Sequence, residues 1–269
     1  MAGICDGPEA GLASKAALWQ ERQVSWNGVV SRTWVLMAAG VLLASCQTDR
    51  PQVEPVSRYP KVTRTQIMEL AEAYRTHPWL AAGANVRHGL DRRGVRVDTP
   101  DVGYRKPGAV PGWWVPGQWN RGVPYQWGGF STLAEFDAGV ARGLAAGDVY
   151  TLEKRALLDD AVSTEAVGID CSGFVSRCWR LPRSYSTREL ASVSVPLASY
   201  DDLLPGDILN TYNAHCLIFA GWVDASRARM VAYETGIPPH WKVIAHRPYT
   251  DSLMTKGFKP FRYRNVVNE

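Results

Sequence analysis

The sequence predicts an α+β domain in which helices come first and an antiparallel sheet comes last. A helix-capping pattern followed by an amphipathic stretch opens the folded part near residue 63. Helical texture returns through residues 130–168 and again after residue 170. From residue 208 the chain breaks into short apolar or alternating runs separated by turn residues, the pattern of an antiparallel sheet. With 269 residues, 46% of them hydrophobic and 21% charged, the chain has ample material for one large core. Thirty basic residues against 26 acidic ones give a net charge of +4, which is mild. That balance argues against a dedicated nucleic-acid binder, and no Gly-rich phosphate loop or Cys-x-x-Cys metal pair is present.

Trp34 to Leu43 (WVLMAAGVLL) is an unbroken small or apolar run preceded by Arg32. It is too short to span a bilayer, which takes about 20 residues. A basic start, a short apolar stretch and small residues at its end match a secretory signal. Leu43-Ala44-Ser45-Cys46 resembles the lipobox of bacterial lipoproteins. That resemblance implies a signal region over residues 1–45, acylation of Cys46 and attachment to a membrane through the lipid. With Gln47 rather than Asp after the cysteine, it also implies the periplasmic face of a Gram-negative outer membrane. Asp6, Glu9 and Glu21 are out of place in a basic leader, so translation is expected to begin near Val29 or Val30. Residues 46–60, rich in Pro and polar residues, read as a flexible tether.

Residues 61–269 read as a single domain without internal repeats. Thr63-Arg64-Thr65-Gln66 has capping-box spacing, and Ile67, Leu70, Ala71 and Tyr74 follow at helical period, ending before His77-Pro78. Residues 85–120 carry Gly, Pro, Arg and Trp without a long period, which predicts loops with short strands. Trp is abundant, with Trp113, Trp114, Trp119, Trp127 and Trp179 close in sequence. Core and groove lining is the expectation for them, with stacking on sugars as the alternative. Ile169 to Val175 opens a further helix, stopped by Pro182. Ile208–Leu209, Cys216–Val223, Arg229–Glu234, Trp241–His246 and Phe258–Tyr263 are the expected strands.

Cys171 stands where a reactive thiol should stand. A helix beginning beside it aims free N–H groups and the positive end of the dipole at its sulfur, which favours thiolate. Ser172 and Gly173 leave room for a substrate carbonyl, and a backbone N–H there can face a developing oxyanion. A thiolate needs an imidazole partner. His215 heads a strongly apolar strand after the turn Leu204-Pro205-Gly206-Asp207, where a side chain is firmly held. His240 and His246 are expected at the surface or at strand ends. Cys178 and Cys216 read as buried small hydrophobes, Cys216 pointing away from His215 by strand alternation, with a disulfide between them as the alternative.

Tyr125-Gln126-Trp127-Gly128-Gly129, Asp170-Cys171-Ser172-Gly173-Phe174-Val175, Leu204-Pro205-Gly206-Asp207 and His215 together resemble the NlpC-type cell-wall peptidases. The resemblance covers roughly residues 63 to 240. It implies a papain-like fold, N-terminal helices packed on a C-terminal antiparallel sheet, with Cys171 as nucleophile, His215 as base and Tyr125 as the hydroxyl beside the thiol. It also implies hydrolysis of peptide or amide bonds in peptidoglycan stem peptides, without metal or organic cofactor, by a monomer. Two departures stand out. About forty residues, roughly 130–168, are inserted between Gly129 and Asp170. The family's usual third residue, a histidine, is missing from Met230–Thr235, where Glu234 is expected to orient His215 and Tyr233 to face away. A non-catalytic wall-binding or assembly lipoprotein, and an amidase or acyltransferase of the same fold, remain alternative readings of the same residues.

Overall fold

The computed structural model describes residues 59–105 and 111–267; the signal region, Cys46 and nearly all of the tether lie outside the described residues. Helix α1 (Arg64–Thr76) begins at the expected box: Thr63 Oγ1 accepts the Gln66 N–H and Gln66 Oε1 accepts the Thr63 N–H, each at 3.2 Å. It buries Ile67, Ala71 and Tyr74 and ends at His77, since Pro78 bars the α conformation before it.

A six-stranded antiparallel sheet forms the centre. Its strands are β1 (Ser194–Pro196), β2 (Ile208–Asn210), β3 (Cys216–Trp222), β4 (Met230–Glu234), β5 (Ile244–His246) and β6 (Lys259–Tyr263). Their order across the sheet is β5-β4-β3-β2-β6-β1. Alternation divides the side chains between two cores. Ile208, Cys216 and Ile218 face α1 and helix α4 (Cys171–Cys178), meeting Ile67, Tyr74, Phe174 and Cys178. Leu209, Leu217 and Phe219 face the other way, onto Leu253 of the short helix α5 (Thr250–Thr255) and Phe258. Each large apolar side chain so buried contributes about 1.5–3 kcal/mol.

The Pro205-Gly206-Asp207 turn has a structural job. The buried Asp207 carboxylate binds Arg64 of α1 at 3.0 Å and Arg262 of β6 at 2.7 Å, and Trp179 Nε1 donates to Gly206 O at 3.0 Å. Helices and sheet are thereby fastened at the start of the β2–β3 hairpin.

Residues 130–168 fold as helix α2 (Leu133–Ala141), helix α3 (Leu152–Leu157) and a two-stranded parallel pair, Ala145–Ala146 with Ala166–Val167. A buried ion pair between Lys154 and Asp148 holds α3, and Lys154 Nζ also donates to Arg96 O at 2.7 Å. The expected strand over 241–246 is shorter in the structure. Residues 241–243 leave the sheet to pair with 123–125 instead, Tyr125 N–H donating to Trp241 O at 2.8 Å and Val243 N–H to Val123 O at 3.1 Å. Strand β1 and helix α5 have no counterpart in the sequence pattern. Among the described residues most Trp side chains serve packing: Trp114 and Trp179 are fully buried, whereas Trp119 is exposed.

Candidate active site

Cys171 is the first residue of α4. Asp170 caps that helix, its Oδ1 accepting the Gly173 N–H at 2.5 Å and the Ser172 hydroxyl at 3.0 Å. The Gly129 carbonyl accepts the Asp170 N–H at 3.0 Å. Gly173 is required there, since a Cβ on it would lie 2.2 Å from the Gly129 oxygen. These contacts explain why Gly128-Gly129 and Asp170-Cys171-Ser172-Gly173 belong together: they present the thiol at a helix N-terminus with its first-turn N–H groups around it.

Tyr125 lies on the neighbouring segment, paired with Ile169, and is buried. Its ring packs on Trp241 and on Gly236, where a Cβ would come within 2.8 Å of the ring. Burial, followed by the negative charge at Cys171, pushes the phenol well above its ordinary range. Tyr125 therefore stays a protonated hydrogen-bond donor.

His215 is fixed through its backbone. Thr211 Oγ1 accepts the His215 N–H at 3.0 Å and donates to the His215 carbonyl at 2.9 Å. Its Nε2 meets Glu234 Oε2 at 2.5 Å, which leaves the other ring nitrogen for Cys171. Tyr233 turns to the opposite side of β4, as alternation demands, and donates to Glu72 Oε2 at 2.9 Å. The structure thus brings Cys171, His215, Glu234 and Tyr125 into one place.

The charges cooperate. Cys171 is held well below the ordinary thiol value, first by a hydrogen bond from the Cys216 thiol and, against the effect of burial, by the charge and hydrogen bond of His215. Burial works against the His215 imidazolium, but the Cys171 sulfur and then Glu234 raise its pKa to about 10. Burial likewise pushes Asp170 up to about 7, with the Cys171 charge adding to it. Cys216 is pushed well above its ordinary value, first by burial and then by its neighbour Cys171, so it remains the donor. The directions of these shifts favour a thiolate–imidazolium pair in the site.

A cleft of about 360 Å³ runs over these groups. Residues 130–168 line it with Tyr150, Arg155 and Leu158, and Ser186, Thr187 and Arg188 line it as well. The Arg155 guanidinium reaches the Asn213 carbonyl in the turn before His215, and Trp127 Nε1 donates to Leu158 O at 3.0 Å. The inserted segment is thus tied to the loop that carries His215. Among the described residues no group of three or more His, Cys, Asp or Glu is arranged to hold a metal ion.

The contacts that three residues make at the site escaped the sequence reading. Cys216 is buried and free, as is Cys178, but its thiol also serves the Cys171 sulfur. His246 ends β5, and its Nε2 contacts Glu234 Oε1. Arg155 reaches the Asn213 carbonyl from a helix whose sequence gives no sign of that contact. Only the strand spacing of His246 from Glu234 carried a signal, legible once the β4–β5 register is known. Comparison with protein-family models, with curated proteins and with solved structures finds no match to this chain.

Proposed function

We propose that the chain is a papain-like cysteine hydrolase that cleaves peptide or amide bonds in peptidoglycan stem peptides, held at the cell envelope as a lipoprotein through Cys46. One observation carries the chemistry: a thiol at the first position of α4 faces an imidazole whose far nitrogen is bound by a buried carboxylate at 2.5 Å. The Cys171 thiolate attacks the carbonyl carbon of the scissile amide. The oxyanion that forms is met by the Cys171 N–H and the Tyr125 hydroxyl. His215 then gives its proton to the leaving amine as the C–N bond breaks, leaving an acyl thioester on Cys171. Neutral His215 next takes a proton from water, whose oxygen attacks the thioester, and the thiolate returns. Glu234 keeps the imidazole in the required tautomer and supports its cationic form.

The substrate class rests on the motif resemblance, and the walled cleft suits an extended peptide laid beside Cys171. A wall-binding protein without turnover has no use for an ionised thiol paired to an oriented imidazole. An amidase or acyltransferase would use the same pair, so the products decide. The protein is incubated with purified stem peptides and muropeptides, and the products are weighed by mass spectrometry. Fragment pairs that sum to substrate plus one water support the reading. Intact stem peptides, or acyl-transfer products without added water, contradict it.

A further inference from the structure

We infer that His246 is a positioning residue of this site, clamping the free oxygen of Glu234 so that the carboxylate keeps its hold on His215; the inference deepens the hydrolase reading and rests on it. The Glu234 side chain is only 2% exposed. A carboxylate so enclosed needs donors on both oxygens. Oε2 is bound by His215 Nε2. Oε1 lies against His246 Nε2 as an ion-pair contact, and among the described residues neither of these two buried atoms has a hydrogen-bond partner elsewhere.

The backbone makes this placement specific. Strands β4 and β5 pair with Ala232 opposite His246 and Glu234 opposite Ile244. His246 and Glu234 are therefore diagonal neighbours on one face of the sheet, within side-chain reach. Both line a hollow of about 410 Å³ on the far side of His215 from the thiol, together with Lys256 of the α5 end. His215, Glu234, His246 and Lys256 are the titratable groups facing that hollow. The result is a line of four groups, Cys171, His215, Glu234 and His246, running from the cleft through the sheet edge.

With a proton on Nε2, His246 donates to Oε1. Two imidazoles then hold the carboxylate plane, one at each oxygen. With one donor gone, the carboxylate can rotate or draw in water, and its contact with His215 loosens. The imidazolium loses support, and the thiolate forms at higher pH.

Alkylation of Cys171 by iodoacetamide, followed against pH on the full-length protein, tests this without any substrate. His246→Leu should raise the apparent pKa of alkylation by about one unit, so that the reaction slows about tenfold on the acid side of the transition. His246→Gln puts an amide N–H near the place of Nε2–H and should recover most of the wild-type profile. A His246→Leu profile equal to wild type, or a His246→Gln variant as impaired as His246→Leu, overturns the inference, since packing alone would then account for His246. Should the Leu variant fail to fold, proton NMR of the wild type decides. A downfield His246 N–H resonance that moves on Glu234→Gln supports the clamp, and its absence refutes it. A wild-type Cys171 no more reactive than a free thiol defeats the hydrolase reading itself, whereas a reactive wild type with an unmoved His246→Leu profile defeats only the clamp.

Discussion

Replacing Glu234 by Gln separates charge from shape at the centre of the site. Burial pushes the Glu234 carboxyl up, but the hydrogen bonds from His215 and His246 and their charges overcome it, carrying the pKa from 4.5 down to about 2. A drop of that size corresponds to about 3 kcal/mol of preferential stabilisation of the charged form in the folded state. The folded pKa lies below the unfolded one, so this stability is present above pH 4.5 and disappears as pH falls through about 2. Gln has the shape of the protonated carboxyl and stands for the state from which that stabilisation is missing. Glu234→Gln should therefore destabilise the fold by about 3 kcal/mol at neutral pH and by less than half as much at about pH 3. Urea unfolding at the two pH values measures this, provided the slopes of wild type and variant agree. An equal loss at both pH values would assign the effect to packing, and no loss at neutral pH would remove the charge argument altogether.

Further outcomes follow from the same groups. The hydrolysis rate should rise from acid pH as Cys171 ionises, hold through neutrality and fall as His215 loses its proton near pH 10; a decline centred near the ordinary histidine value would contradict the pairing. Cys216→Ala removes the thiol donor to Cys171 and should raise the pH at which Cys171 alkylates, with a several-fold slower reaction at mildly acid pH. Cys178→Ala should leave that profile unmoved, because Cys178 is a buried member of the core behind the helix. Expressed in a Gram-negative bacterium, the protein should fractionate with membranes and begin at an acylated Cys46, several acyl chains giving a firmer anchor than one; an unmodified Cys46 inside an intact longer N-terminus would contradict this.

What was legible in the sequence was local. Thr63 and Gln66 exchange their hydrogen bonds within one helical turn, so the start of α1 can be read from four letters. Asp170, Ser172 and Gly173 form the Cys171 cap within four residues, which is why that motif carries so much. Glu234 was legible for a different reason: a hairpin and strict alternation leave one of two adjacent residues to face His215. What was not legible depends on contacts between distant segments. Lys154 reaches Arg96, and Arg155 reaches Asn213, each across 58 residues, so the course of residues 130–168 over the cleft has no local signature. Alternation assigns Cys216 to the helix-facing core but cannot say that Cys171 is the residue it meets there. The late start of β5 arises because residues 241–243 find partners at 123–125, a competition invisible in an apolar run.

Covalent chemistry by Cys171 on an amide bond is tested by removing its sulfur. Turnover of purified stem peptides is compared between the wild-type protein and a folded Cys171→Ala variant. Cys171 is partly buried against the core at the N-terminus of α4, and Ala removes only its sulfur, so the variant should fold close to normally. Its rate should fall by several orders of magnitude, about what removal of a covalent nucleophile costs. A Cys171→Ala protein that keeps about a tenth of the wild-type rate would contradict the account, because a nucleophile whose loss matters so little is not the nucleophile.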